Sequence, residues 1–262
     1  MKCWRNGHPV AEDWAGLRAL HYGDGHFTTM RVTAGRVVWW SLHQARLVHA
    51  NERLRLDFDG WAEVEVSVSA IAADLHDGVL KLLFTRSSDR RGYGSAGARP
   101  EWLLFAEPGR PEPRTGLVLG VAQTRLAIQP ALAGLKHLNR LEQVLARDEA
   151  PLSDCDDLLM CDMEAWIACT TSANVFLRAD GQWRTPEVTR AGVAGVCRER
   201  ILGLETVRVG PVSLGELLAA DEVFCCNAVR GVMPVSRIGD RVFSSGPATH
   251  VLMSQVQAEL EC

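Results

Sequence analysis

Lys136 stands in the stretch GLKHLNRLEQVLAR, between two leucines and beside His137, in a chain with 25 arginines and three lysines, the others being Lys2 and Lys81. A guanidinium cannot be deprotonated to a nucleophilic amine at neutral pH, whereas a partly desolvated lysine can. A lysine kept where the chain otherwise uses arginine therefore suits Schiff-base chemistry, although a lysine snorkelling at a helix end has the same local sequence. Positions 139 and 140 are Asn and Arg, so no acid stands one turn on to form a helical ion pair. A nearby like charge and partial burial would both lower the pKa of the amine. Three other stretches have chemical potential. RAGVAGVCRER gathers backbone N–H groups at a helix start, with glycines that permit close approach of a phosphate or serve only a tight strand-to-helix turn. Arg46, in HQARL, either lies on a buried helix face, where it needs an anion, or is solvated. Arg91 and Tyr93, in RRGYG, either clamp a substrate carboxylate or belong to an exposed polar loop. There is no nucleophile elbow for a Ser/His/Asp set and no metal-ligand spacing, so no metal is expected.

The elements that must position these residues divide into two groups. HFTTMRVTAGRVVWW alternates around a Gly-containing turn and predicts a hairpin. Ser41 then caps a helix through Leu47, Ala50 and Leu54. In WAEVEVSVSAIAADLHDG the valines alternate like a strand, but Trp61, Val64, Val68, Ile71 and Leu75 form a longer helical stripe that ends at Gly78, which favours helix. GVLKLLFTR and EWLLFAE are strands. PGRPEPRTG, with three prolines, is a linker. Beyond it come a strand LVLGVAQTRL, a helix over 134–147 whose stripe Leu135, Leu138, Leu141, Val144 and Leu145 faces a core, and strands joined by tight turns through DLLMCDMEAWIACTTSANVFLRADGQWRTP. CRERILGL is a helix, DEVFCCNAV a buried strand and THVLMSQVQAEL a closing helix. The expectation is α+β in class, with a smaller domain over 1–106, a linker over 107–115 and a larger domain over 116–262.

A net charge of −4 gives no reason to expect nucleic acid or an anionic membrane as a partner. No apolar run has the length of a membrane span, and MKCWRNGHPV lacks the apolar core of a secretory signal, so a cytoplasmic protein is expected. The eight cysteines form no CxxC clusters and sit mostly in apolar segments, as small buried hydrophobes do in a reducing compartment.

Seven stretches, taken in order, carry a resemblance: HYGDGHFTTMRV, HQARL, RRGYG, LAGLKHLNRLEQVLAR, TTSANVFL, AGVAGVCRE and ADEVFCCNAVRGVMPV. Together they resemble the aminodeoxychorismate lyases, members of the fold-type IV pyridoxal 5'-phosphate (PLP) enzymes that also include branched-chain and D-amino acid aminotransferases. The likeness runs over nearly the whole chain, and KHLNRLEQVLAR is its most lyase-like part. It implies a homodimer of two-domain subunits with PLP in the interdomain cleft. By the same resemblance Lys136 would bind the cofactor covalently and Arg46 would grip its phosphate. Val193 and Ala194 would offer backbone N–H groups to that phosphate, and Asn227 and Ala228 would lie at a nearby turn where relatives often have a hydroxyl. Phe27, Arg91 and Tyr93 would line the substrate side.

One position departs from the family. A glutamate five residues before the Asn of SAN pairs with the pyridine nitrogen in relatives, and here Cys169 stands there. A neutral thiol holds a pyridinium poorly, so the bound cofactor should be a weaker electron sink. Glu164 lies five residues further back, beyond a turn, and is not expected to substitute. The implied activity is conversion of 4-amino-4-deoxychorismate to 4-aminobenzoate and pyruvate. The alternatives are an aminotransferase acting on a small or branched-chain amino acid, which Cys169 disfavours, and a non-catalytic homologue serving as a binding protein.

Overall fold

The computed structural model describes residues 2–10, 14–88, 90–151 and 154–262. The chain folds into two compact units: Met1–Pro111 with Lys136–Asn139 and Cys262, and Glu112–Leu135 with Arg140–Glu261. The short segment carrying Lys136 thus joins the first unit, not the second as expected from its place in the chain.

The first unit contains β1 (Lys2–Arg5), β2 (His8–Pro9), α1 (Arg18–Tyr22), β3 (Gly25–Thr33), β4 (Arg36–Val37), α2 (Trp40–Arg53), α3 (Trp61–Leu75), β5 (Gly78–Ser87) and β6 (Arg99–Pro108). The strands form one sheet in the order β2-β1-β6-β5-β3-β4. Asn6 and Gly7, at φ 46° and 79°, make the tight turn between β1 and β2, a pairing that an Asn-Gly dipeptide favours although the flanking residues do not alternate as strands usually do. Because side chains alternate along a strand, Met30, Leu80, Leu82, Phe84, Leu104 and Ala106 share one face and pack on Leu47, Val64, Val68 and Ala72 of the two helices. WAEVEVSVSAIAADL is a helix as expected, since its 3.6-residue stripe is what meets the sheet. Helix α2 starts at Trp40 with Trp39, not Ser41, in the capping position at φ 55°.

His26, on β3, is fully buried, 2.6 Å from Asn51 Oδ1 and stacked on Phe84 at 5.6 Å. Burial pushes its pKa down from 6.5 to about 4, with Arg46 and Arg86 adding to the shift against the opposing Asn51 bond. The folded state therefore stays unprotonated while the unfolded chain takes up a proton, so stability is lost as pH falls from 6.5 towards 4, by up to about 3 kcal/mol. Denaturant titrations at pH 7 and pH 4.5 should show this loss in the parent and a smaller one in His26→Gln. Equal losses would mean that the histidine is charged in the folded protein.

The second unit contains β7 (Leu117–Val121), α4 (Leu141–Asp148), β8 (Asp157–Cys161), β9 (Ile167–Thr170), β10 (Asn174–Ala179), β11 (Gln182–Pro186), α5 (Val196–Leu204), β12 (Val207–Gly210), α6 (Leu214–Leu218), β13 (Glu222–Asn227), β14 (Gly231–Ile238), β15 (Arg241–Val242) and α7 (Pro247–Glu261). Its mixed sheet runs β12-β11-β10-β13-β14-β7-β8-β9, with β15 on β14. The continuously apolar β13 is central and buried, as an uninterrupted hydrophobic run requires. Leu252, Val256 and Leu260 make the buried stripe of α7.

The expected helix over 134–147 is shorter. Residues 134–140 are not helical, and α4 covers Leu141–Asp148 alone. Leu141 is 74% exposed, with Val144 and Leu145 also exposed, and Ala146 is the buried residue of α4. The spacing is helical over the last two turns, but the stripe does not face a core. Among the described residues no helix is long and apolar enough to cross a membrane.

Candidate functional site

In the first unit the Lys136 segment is held as a short extra strand. Phe27 N–H donates to the Lys136 carbonyl at 2.9 Å and Leu138 N–H to the Gly25 carbonyl at 3.0 Å, with His26 and His137 bridged antiparallel. This backbone pairing replaces the helical one and fixes the lysine against β3. The half-buried Lys136 side chain brings Nζ to 4.7 Å from the Phe27 ring centroid, a cation–π distance. Phe27 and Lys136, far apart along the chain, are therefore neighbours.

Arg46 lies on α2 facing β3, where its Nη2 donates to Thr28 Oγ1. Thr28 Oγ1 is 2.6 Å from His43 Nδ1. Since the guanidinium can only donate, the hydroxyl proton is left for His43 Nδ1, and the histidine proton belongs on Nε2. Burial and the Arg46 charge hold His43 well below its usual pKa, in the neutral form this relay needs. Burial also pushes the Arg46 pKa down to about 10, which leaves it a cation at neutral pH. Its Nε is enclosed and has no hydrogen-bond partner, and no carboxylate pairs with Arg46 among the described residues. A buried guanidinium without an acid is a site for an anion from outside the chain. Sequence reasoning does not find the Thr28–His43 pair; the i, i+3 spacing of His43 and Arg46 is its only signal.

Arg91 and Tyr93 are exposed, Tyr93 at 89%. Their loop is nonetheless tied down, because buried Arg18 donates to the Gly92 and Tyr93 carbonyls at 3.0 and 2.9 Å while pairing with Asp24 at 2.7 Å. The Gly92 N–H donates to Tyr22 Oη at 2.9 Å, and the Tyr22 and Tyr93 rings meet edge to face.

In the second unit, α5 begins at Val196 with Gly195 capping. The phosphate-facing amides are expected at Val193 and Ala194, but Ala194 N–H is committed to the Gly134 carbonyl at 2.9 Å and Gly134 N–H to Gly192 at 3.1 Å. The first-turn amides without an intrahelical acceptor belong instead to Val196, Cys197 and Arg198, since the Glu199 N–H is the first to bond back, to Gly195. The first glycine of AGVAGV serves the bridge to Gly134, and the second, Gly195, starts the helix. A Cβ at Gly195 would come within 2.1 Å of Asn174 Oδ1. Asn174 in turn donates to the Val193 carbonyl at 2.9 Å, so the Asn of SAN holds this loop.

Cys169 is buried on β9, opposite Met160 of β8. Arg140 lies close enough for a thiolate there to favour the guanidinium charge, against the desolvation that lowers the Arg140 pKa. The turn after Cys169 is organised by Asp157, which accepts from Thr170 Oγ1, Ser172 Oγ and the Thr171 amide. Glu164 is exposed and paired with Arg190. Asn227 ends β13, where its Oδ1 accepts from the Val229 and Arg230 amides at 3.1 and 2.9 Å and shapes the turn through Ala228.

The amino-transferase class IV pattern matches residues 25–238. The chain belongs to this family. It is 35% identical to an aminodeoxychorismate lyase of Vibrio harveyi over 90% of each chain. Its structure superposes on the 4-amino-4-deoxychorismate lyase of Pseudomonas aeruginosa with a TM-score of 0.94, at 39% identity, covering 99% of this chain and 100% of that one. The branched-chain aminotransferase of Escherichia coli, 22% identical, shares the fold, with a TM-score of 0.84 over 96% of this chain and 91% of that one. The fold is thus that of the fold-type IV enzymes.

Proposed function

We propose that the protein is a lyase that converts 4-amino-4-deoxychorismate to 4-aminobenzoate and pyruvate with PLP as cofactor. The observation that carries this reading is the near-complete superposition on a lyase of that specificity at 39% identity, together with an extended Lys136 held against Phe27. The residues present suit PLP. The buried Arg46, with an enclosed Nε and no acid partner, is suited to its phosphate. Lys136 would hold its aldehyde carbon, and Asn227 and Ala228 would stand near the phosphate, with no hydroxyl from Ala228. When bound, PLP withdraws electrons from the carbon that bears the substrate amine.

The chain's own residues do the rest. Arg46, steadied by Thr28 and His43, fixes the anion. Lys136 would supply, from its Nζ, the base that takes the proton from the amine-bearing carbon. The C–O bond to the enolpyruvyl group breaks, that group leaves as the enolate of pyruvate, its CH2 carbon takes up one proton in place of the one Lys136 removed to give pyruvate, and the ring gains aromaticity. Phe27 supports the amine from its ring face, and Arg91 and Tyr93 are assigned to the substrate side. The same reading carries a homodimer. Purified protein with PLP and substrate should release 4-aminobenzoate and pyruvate in equal amounts. Amino-group transfer to a keto acid without pyruvate release would replace the lyase with an aminotransferase.

Cys169 bears on the choice. With Arg140 nearby, the Cys169 position favours an anion over a second cation, so a pyridine nitrogen there would be little protonated and transamination poorly supported. Aromatisation makes the lyase step less dependent on that support. Cys169→Glu should tighten PLP binding and introduce slow transamination with alanine, with a smaller change in pyruvate release, because the carboxylate raises the pyridine pKa. Parallel loss of PLP affinity, holoprotein melting temperature and pyruvate release would place Cys169 away from the pyridine nitrogen.

A further inference from the structure

The turn Gly23–Asp24–Gly25, between α1 and β3, holds two segments of the first unit at once. On one side lies the Lys136 segment: Asn139 Nδ2 donates to the Gly23 carbonyl at 3.3 Å, and Leu138 N–H to the Gly25 carbonyl at 3.0 Å. Gly23 ends α1 at φ 61°, and a Cβ there would collide with Asn139 Oδ1. A Cβ on Gly25 would collide with the Phe84 carbonyl and Leu138 Cδ1. The two glycines thus make room for the segment that carries the lysine.

On the other side Asp24 aims Arg18. Its carboxylate accepts from Arg18 Nε at 2.7 Å and from Arg86 Nη1, while Arg86 Nη2 donates to the Leu54 carbonyl at 2.6 Å. With Nε engaged, the planar guanidinium directs Nη1 to the Gly92 carbonyl and Nη2 to that of Tyr93, at 3.0 and 2.9 Å. It also lies 4.7 Å from the Tyr22 ring centroid, and Tyr22 Oη accepts from the Gly92 N–H. Arg18 is 4% exposed, whereas Arg91 and Tyr93 stand in solvent. The carbonyls of a surface loop find donors in water, so they need no buried guanidinium for their own sake. What Arg18 adds is a fixed place for that loop, set from the same turn that holds the Lys136 segment.

We infer that Arg18, aimed by Asp24, is a positioning residue that sets the loop bearing Arg91 and Tyr93 in place for the substrate. The inference rests on the lyase reading and on the assignment of that loop to the substrate side.

The test has two arms. In the first, trypsin cleavage at the Arg91–Gly92 bond is timed in the folded parent and in Arg18→Lys, which keeps a cation for Asp24 but lacks the fork that reaches both carbonyls. Cleavage should be at least about tenfold faster in the variant, the scale of a lost charge-assisted hydrogen bond. In the second, pyruvate release by the PLP-loaded proteins should show KM raised at least about tenfold in Arg18→Lys, with kcat changed less than about threefold. In a chain that already carries Arg91→Ala and Tyr93→Ala, Arg18→Lys should change KM no further, because the side chains it positions are gone. Unchanged cleavage overturns the hold on the loop. Faster cleavage with unchanged KM, a loss in kcat alone, or a KM effect that persists without Arg91 and Tyr93 overturns the positioning role and leaves the lyase reading standing. A parent that releases no pyruvate overturns both. If Arg18→Lys does not fold, Arg18→Gln takes its place with the same outcomes.

Discussion

Replacing Lys136 by arginine should reduce pyruvate release by at least about 10³-fold while leaving the protein folded. The loss follows from chemistry rather than charge. A guanidinium keeps the cation and can still lie on the Phe27 ring, 4.7 Å from the present amine, but at neutral pH it can neither condense with an aldehyde nor accept a proton from carbon. The fold should survive because the segment is held by main-chain bonds between Lys136, Leu138 and β3, which do not depend on the side chain. The check is the rate of pyruvate release with saturating PLP, alongside thermal melting of the apoprotein. Parental turnover in Lys136→Arg would remove Lys136 from the reaction, and a collapsed melting temperature would make it a structural residue.

Arg46→Ala should weaken PLP binding by about 1.5–3 kcal/mol, the worth of a charged hydrogen bond, or roughly 10- to 150-fold in Kd. The apoprotein should lose little stability, because the guanidinium there is a buried cation without an acid and its removal relieves desolvation. The Thr28 hydroxyl would lose one donor and keep His43. Titration of both apoproteins with PLP, followed by melting without cofactor, separates the outcomes. Equal affinity would exclude Arg46 from phosphate binding, and a large apo-state loss would make the Arg46–Thr28–His43 relay a folding element.

The sequence is most legible where a periodic pattern meets a core. The helix over Trp61–Leu75 and the buried strand through FCCN are readable because their apolar spacing is what the sheets pack against. The stretch around Lys136 misleads for the converse reason. Its leucines keep helical spacing, yet Leu135 and Leu138 lie in an extended segment, Leu138 paired with β3, and Leu141 and Leu145 are exposed. Such pairing is long-range, and local propensity does not encode it. The helix-start amides without an intrahelical acceptor lie a few residues after Val193 and Ala194, and two glycines in AGVAGV are equivalent on paper; only the approach of Asn174 to Gly195 tells the turn from the helix start. Chemical types are easier to read than positions. Lysine as an amine can be argued from composition, whereas the burial of Arg46, and Thr28, His43 and Asp157, which orient their neighbours, need distances.

Lys136 as the residue that binds the cofactor is tested most directly by chemical labelling. Purified protein incubated with PLP, reduced with borohydride, digested and mapped by mass spectrometry should carry one pyridoxyl group, on the peptide containing Lys136. Lys81, on the same aromatic ring, is the internal control for non-specific amine labelling. An adduct on Lys81 in place of Lys136, or no stable adduct at all, would contradict this role.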